Sequence, residues 1–171
     1  MRNIFLIGFM GCGKSTVATE LQWLYGMQVC EMDQMIAEKA QMSIPQIFEK
    51  YGEEYFRDLE SDLLKEIGRD SNQVVSCGGG VVLREKNVSE MKRSGDIVLL
   101  TAKAEIILGR VLEDNNRPIL QGKKTVKDIS ELMERRREKY ELAADVTIAT
   151  DGKSINEICQ EVINKLAKIG E

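Results

Sequence analysis

Residues 3–15 read Asn3-Ile4-Phe5-Leu6-Ile7-Gly8-Phe9-Met10-Gly11-Cys12-Gly13-Lys14-Ser15. The stretch opens as an apolar run closed by a glycine. Runs of this kind suit strands buried on both faces, as in parallel sheets. From Gly8 onward the residues fit a phosphate-binding loop: a glycine, four residues, then Gly13-Lys14-Ser15. The pattern carries weight because a strand is expected before it and a helix after it. Glycines let backbone N–H groups converge on phosphate oxygens, and a helix N-terminus adds favourable partial charge. Lys14 is placed to reach the terminal phosphates, and the Ser15 hydroxyl to ligate Mg²⁺. Gly11, Cys12, Gly13, Lys14, Ser15 and Thr16 are therefore expected to hold a nucleoside triphosphate. Cys12 is expected to be a passive small residue; the alternative is a thiol acidified by the helix N-terminus.

Outward from this loop, strands and helices alternate. Residues 14–25 have helical character and stop at Gly26. Residues 27–31 read as a second strand and residues 33–40 as a helix. Ser43, a proline at position 45 and Gln46 form a helix start with a capping box. That helix should stop near Gly52. Residues 53–67 are amphipathic, with Phe56, Leu59, Leu63 and Ile67 on one side. Residues 73–77 form a strand ending in Gly78-Gly79-Gly80. A short helix at 86–94, a strand at 97–100, a helix at 104–113 and a polar loop at 114–125 follow. A charged helix at 126–143, a strand at 146–149 and an amphipathic helix at 155–169 complete the chain. This order argues for an α/β fold, a parallel sheet with helices on both faces.

Composition narrows the chemistry. The chain has 171 residues, suited to one domain, and a formal net charge of −4. That balance argues against nucleic acid as a partner. No stretch reaches the roughly 18 apolar residues that a membrane span needs. The residues before Gly8 are too few for a signal peptide, so a cytoplasmic location is expected. The four cysteines, Cys12, Cys30, Cys77 and Cys159, lack metal-type spacing and are expected to be reduced. There is no histidine, which excludes Ser-His-Asp and Cys-His catalysis. Proton transfer must fall to a carboxylate, a lysine or water. No guanine-recognition motif N/T-K-x-D is present, and the small size favours a compact kinase over a motor ATPase.

Six blocks, in order, resemble the shikimate kinases. They are residues 8–16, Glu31-Met32-Asp33, Phe56-Arg57-Asp58-Leu59-Glu60, Gly78-Gly79-Gly80, Arg110 through Arg117-Pro118-Ile119-Leu120, and Arg136 with Tyr140 four residues on. The resemblance covers nearly the whole length. It implies a three-layer α/β/α sandwich around a five-stranded parallel sheet of the P-loop kinase type. Residues 1–171 would form a single domain, with about 32–62 binding the acceptor and about 111–124 forming a lid. The implied reaction moves the γ-phosphoryl group of ATP to the 3-hydroxyl of shikimate, with Mg²⁺ as cofactor and a monomer as the acting species.

The resemblance also implies roles. Lys14, Asp33 and Arg117 would be catalytic, and Arg110 would stack on adenine. Arg57 and Arg136 would hold the shikimate carboxylate, as planar guanidinium forks suit that group. Asp33 would hydrogen-bond the acceptor hydroxyl; standing before a helix, it could also serve as an N-cap. Gly78, Gly79 and Gly80 would lie against the substrate ring, with Ile44, Phe48 and Phe56 flanking it or packing in the core. The family usually has Asp-x-Asp where this chain has Glu31-Met32-Asp33. Glu31 keeps the charge, adds one methylene, and is expected to assist Mg²⁺ directly or through water. A kinase for gluconate, a nucleoside monophosphate kinase and a nucleotide-binding protein without catalysis are the alternative readings.

Overall fold

The computed structural model describes residues 1–111 and 126–171. The order is β1 (Asn3–Ile7), α1 (Lys14–Tyr25), β2 (Gln28–Glu31), α2 (Met32–Ala40), α3 (Ile44–Ile67) and β3 (Gln73–Ser76). A 3₁₀ turn (Val81–Leu83), α4 (Glu85–Ser94), β4 (Gly95–Thr101), α5 (Ala104–Val111), α6 (Val126–Ala143), β5 (Val146–Ala149) and α7 (Ile155–Ile169) follow. The five strands form one sheet in the order β2-β3-β1-β4-β5, and every neighbouring pair is parallel.

The apolar run of β1 is explained by burial on two sides. Ile4 and Leu6 pack with Val17, Leu21, Val98 and Leu100 in one cluster. Phe5 and Ile7 alternate onto the other face, with Leu64, Val75, Met91 and Ile97. All four β1 side chains are at most 2% exposed. With period 2 and helices on both faces, no position of β1 is left for a polar residue except the Asn3 end. Asn3 is itself satisfied: its amide donates to Asp70 O at 2.9 Å and its Oδ1 accepts from Gln73 N at 3.0 Å.

The topology sets the site. β1 lies between β3 and β4, so the chain leaves it for one half of the sheet and later fills the other. Ligands of open α/β sheets bind at such switch points, beyond the carboxyl ends of the strands. Register brings specific residues there. Leu6 aligns with Ser76 and Glu31 also aligns with Ser76. The loops after β1 and β3 therefore leave side by side, next to the end of β2.

The expected helix start at Ser43 is capped. Ser43 accepts from Gln46 N at 3.3 Å while Gln46 Oε1 accepts from Ser43 N at 2.9 Å. Ser154 and Glu157 repeat the arrangement on α7. The break near Gly52 is present within a continuous element: Gly52 has φ 85° and ψ 173°, and the helix resumes at once. Two features differ from the expectation. β4 begins at Gly95, not at residue 97, because an extended Gly95 pairs with Asn3 where a Cβ would lie 2.3 Å from Asn3 O. The 3₁₀ turn after the triple glycine was not anticipated; it buries Val81 and Val82. The expected lid and Arg117 lie outside the described residues, apart from the end of α5.

Candidate active site

The phosphate loop is built to receive an anion. Gly8 has φ 142° and Gly13 φ 94°, conformations that side-chain-bearing residues rarely adopt. Gly8 also faces Leu100 O, only 2.4 Å from where a Cβ would stand. α1 opens with no capping side chain and no acidic residue in its first turn. Its first N–H groups and its partial positive charge are thus left for a ligand. Lys14 is 8% exposed, and its Nζ donates to Gly8 O at 2.8 Å and Phe9 O at 3.2 Å. Cys12 is 1% exposed, with its Sγ 3.8 Å from Lys14 Nζ. Such burial favours the passive role for this thiol.

Three oxygens meet beside the loop. Ser15 Oγ donates to Glu31 Oε2 at 3.0 Å and lies 3.4 Å from Ser76 Oγ. They come from α1, β2 and β3, brought together by the strand register described above. Hard oxygen donors suit Mg²⁺, and adjacent oxygens around an octahedral Mg²⁺ stand about 3 Å apart. The donor set therefore fits the ion. Ser76 was missed in the sequence; its one signal is its place as the last strand residue before the glycines.

At the other end, each glycine of the triple lies against a charged side chain. A Cβ on Gly78 would stand 2.7 Å from Glu60 Oε2 and 3.2 Å from Asp33 Oδ1. One on Gly79 would stand 3.4 Å from Arg136 Nη1, and one on Gly80 2.5 Å from three guanidinium atoms of Arg57. Gly78 and Gly80 are glycine because charged groups need the space, whereas a Cβ at Gly79 would meet Arg136 at ordinary contact distance. Arg57 and Arg136 are 5% and 6% exposed. Within Arg135-Arg136-Arg137 only the middle residue is buried, so its register on α6 is fixed. Tyr140, one turn on, donates to Gly79 O. Burial pushes the Tyr140 phenol up to about 12, so it remains a donor at neutral pH.

Arg57 is held by two carboxylates of its own helix. Nη1 donates to Glu60 Oε1 at 2.7 Å and Nη2 to Glu53 Oε1 at 3.0 Å. Burial works against the Arg57 charge, and the two ion pairs outweigh it, so its pKa is raised. Burial raises the Glu60 carboxyl above the usual range, and Arg57 pulls it partly back. Among the described residues, Arg57 Nε, Glu60 Oε2 and Arg136 Nη1 are buried with no hydrogen-bond partner. Unpaired buried N–H groups of two arginines are costly and mark a place for an anionic ligand. Glu60 stood in a quoted block without a role; its spacing of three from Arg57 on an otherwise apolar helix face was the available signal.

Asp33 sits in the first turn of α2 and lines the cleft. The N-cap position belongs to Glu31, which makes no capping bond, so Asp33 is not the cap. Ile44 lines the cleft, whereas Phe56 is 4% exposed in the core with its ring 4.9 Å from that of Phe48. Arg110 reaches over the phosphate loop, its Nη1 donating to Gly11 O at 2.7 Å. Thr150 and Lys153, from the turn before α7, complete that end; nothing in the sequence reading marked them. One cleft of about 970 Å³ runs from Lys153 and Arg110 past Ser15 and Glu31 to Asp33 and Gly79.

A family model described as shikimate kinase matches residues 10–167. A shikimate kinase of Caldanaerobacter subterraneus subsp. tengcongensis is 40% identical over 169 residues, covering 99% of this chain and 98% of that protein. The solved shikimate kinase of Acinetobacter baumannii, in complex with shikimate, superposes with a TM-score of 0.93 at 33% identity, over 98% of this chain and 94% of the other. That of Aquifex aeolicus gives a TM-score of 0.84 at 36% identity, over 98% of each chain. With the family model matched over residues 10–167 and relatives of 33–40% identity covering nearly the whole length, the chain belongs to the shikimate kinase family.

Proposed function

We infer that this chain is a shikimate kinase, transferring the γ-phosphoryl group of ATP to the 3-hydroxyl of shikimate to give shikimate 3-phosphate and ADP, on the route to chorismate and the aromatic amino acids. The observation that carries the acceptor is the pair of buried guanidinium groups, with N–H groups left unpaired beside Asp33 and the glycine loop. A ring bearing one carboxylate and several hydroxyls answers both ends of that pocket.

Site roles follow as part of the proposal. Arg57 and Arg136 hold the carboxylate, and Gly78, Gly79 and Gly80 let the ring approach. Asp33 orients the hydroxyl and accepts its proton as the oxygen bonds to the γ-phosphorus and the bond to ADP breaks. Gly11, Cys12, Gly13 and Thr16 cradle the phosphates. Lys14 and Arg117 stabilise charge on the transferring group. Arg110 borders the base. Ser15 and Glu31, with Ser76 beside them, hold Mg²⁺, which when bound neutralises charge on the β- and γ-phosphates. Residues about 32–62 form the acceptor region and about 111–124 a lid that excludes water, within one domain over residues 1–171. The enzyme acts as a monomer in the cytoplasm. Among the described residues no helix is long and apolar enough to cross a membrane.

The test is ADP release with ATP and Mg²⁺, with and without shikimate, beside gluconate and nucleoside monophosphates. Stimulation by shikimate alone is expected. Turnover with another acceptor and none with shikimate would overturn the pocket reading and leave the phosphate loop standing.

A further inference from the structure

Arg57 carries two carboxylates that differ in kind. Glu60 is completely buried, whereas the Glu53 side chain is 55% exposed. Arg57 itself is enclosed, its side chain 6% exposed. Glu53, Arg57 and Glu60 stand at i, i+4 and i+7, on one face of α3. Glu53 is the first residue after the Gly52 break, and so occupies the start of the resumed helix. A side chain at such an end is released with little loss of helix.

The guanidinium face is covered by the Gly80 backbone, so an anion must approach an N–H edge. Nη1 is committed to Glu60. The remaining edge comprises Nε, with no partner among the described residues, and Nη2, which donates one of its two N–H bonds to Glu53. A bidentate carboxylate at that edge needs both N–H groups. It also brings a further negative charge toward Glu53, Glu60 and Asp33, against Arg57 and Arg136 among the described residues. Release of Glu53 satisfies both demands.

We propose that Glu53 is a replaceable placeholder for the substrate carboxylate: it pairs with Arg57 Nη2 in the empty pocket and is displaced when the acceptor binds, so that it sets acceptor affinity. This rests on the shikimate reading above. Glu53 is a positioning residue and takes no part in phosphoryl transfer.

The experiment is calorimetric titration of the full chain with shikimate and with its neutral methyl ester. The variants are Glu53→Gln, which removes the charge, and Glu53→Ala, which removes the whole carboxylate. Both variants are expected to bind shikimate tighter by on the order of threefold, the scale of a part-exposed ion pair. The methyl ester, which displaces nothing, is expected to show no gain. Unchanged or weaker shikimate binding in both variants, or an equal gain for the ester, would overturn the proposal. A wild-type chain that binds ADP and no shikimate would remove the acceptor reading itself, and the placeholder with it.

Discussion

Arg57 and Glu60 form an ion pair of 2.7 Å in which the carboxylate is wholly buried and the guanidinium side chain 6% exposed. Losing Glu60 leaves the buried Arg57 charge to the part-exposed Glu53, and breaking a buried pair from one side costs about 3–5 kcal/mol. Glu60→Ala is therefore expected to lower unfolding stability by about that amount and to weaken shikimate binding. Urea unfolding of the two proteins checks it; a loss within the error of the fit would show that water enters the site.

The same carboxyl predicts a pH dependence. Burial raises the Glu60 pKa in the folded state. A raised folded pKa means that the folded state holds the proton more tightly than the unfolded chain. The contribution is full below the unfolded pKa, about 4.3, and is lost as pH rises through the folded value. The stability of the wild type relative to Glu60→Gln should fall over that window. A difference that stays flat between about pH 4 and 8 would mean equal pKa values in the two states.

Gly80 has φ −101°, which alanine adopts freely, so Gly80→Ala tests space alone. Its Cβ would stand 2.5 Å from Arg57 Cζ, Nη1 and Nη2. Displacing the guanidinium should raise the shikimate KM on the order of tenfold or more and leave the ATP KM near wild type. Equal effects on both constants would point to a general disturbance of the loop.

Ser15 and Glu31 make the oxygen pair that fits Mg²⁺. Glu31→Gln keeps the hydrogen bond and removes the charge. The Mg²⁺ concentration for half-maximal rate should rise several-fold, and excess Mg²⁺ should recover most of the turnover. An unchanged Mg²⁺ requirement would return Glu31 to a structural role.

Asp33 lines the cleft at the start of α2, one carboxylate beyond the phosphate loop. Asp33→Asn is expected to cut kcat by roughly 10²–10⁴-fold with ADP binding retained. Turnover within a few-fold of wild type would take Asp33 out of the mechanism.

Much of the fold was legible because local rules and global burial agree. The apolar run of β1, the glycine ends of α1, the Ser43 cap and the Gly52 break are each set by residues within one turn or strand. Gly95 misled because glycine usually ends a strand, whereas here close pairing with Asn3 requires it.

The sequence by itself determined the phosphate loop and the alternation of strands and helices, since these depend on neighbours along the chain; the acceptor-pocket residues came from the family resemblance. Only the tertiary structure decided that Ser76 joins Ser15 and Glu31, because parallel register across three strands makes that cluster. It alone showed that Arg136, which the resemblance had singled out, is the buried arginine of Arg135-Arg136-Arg137, and that Gly78 and Gly80 make room for charged groups. Those facts depend on contacts between different elements, up to 61 residues apart, which no local spacing encodes.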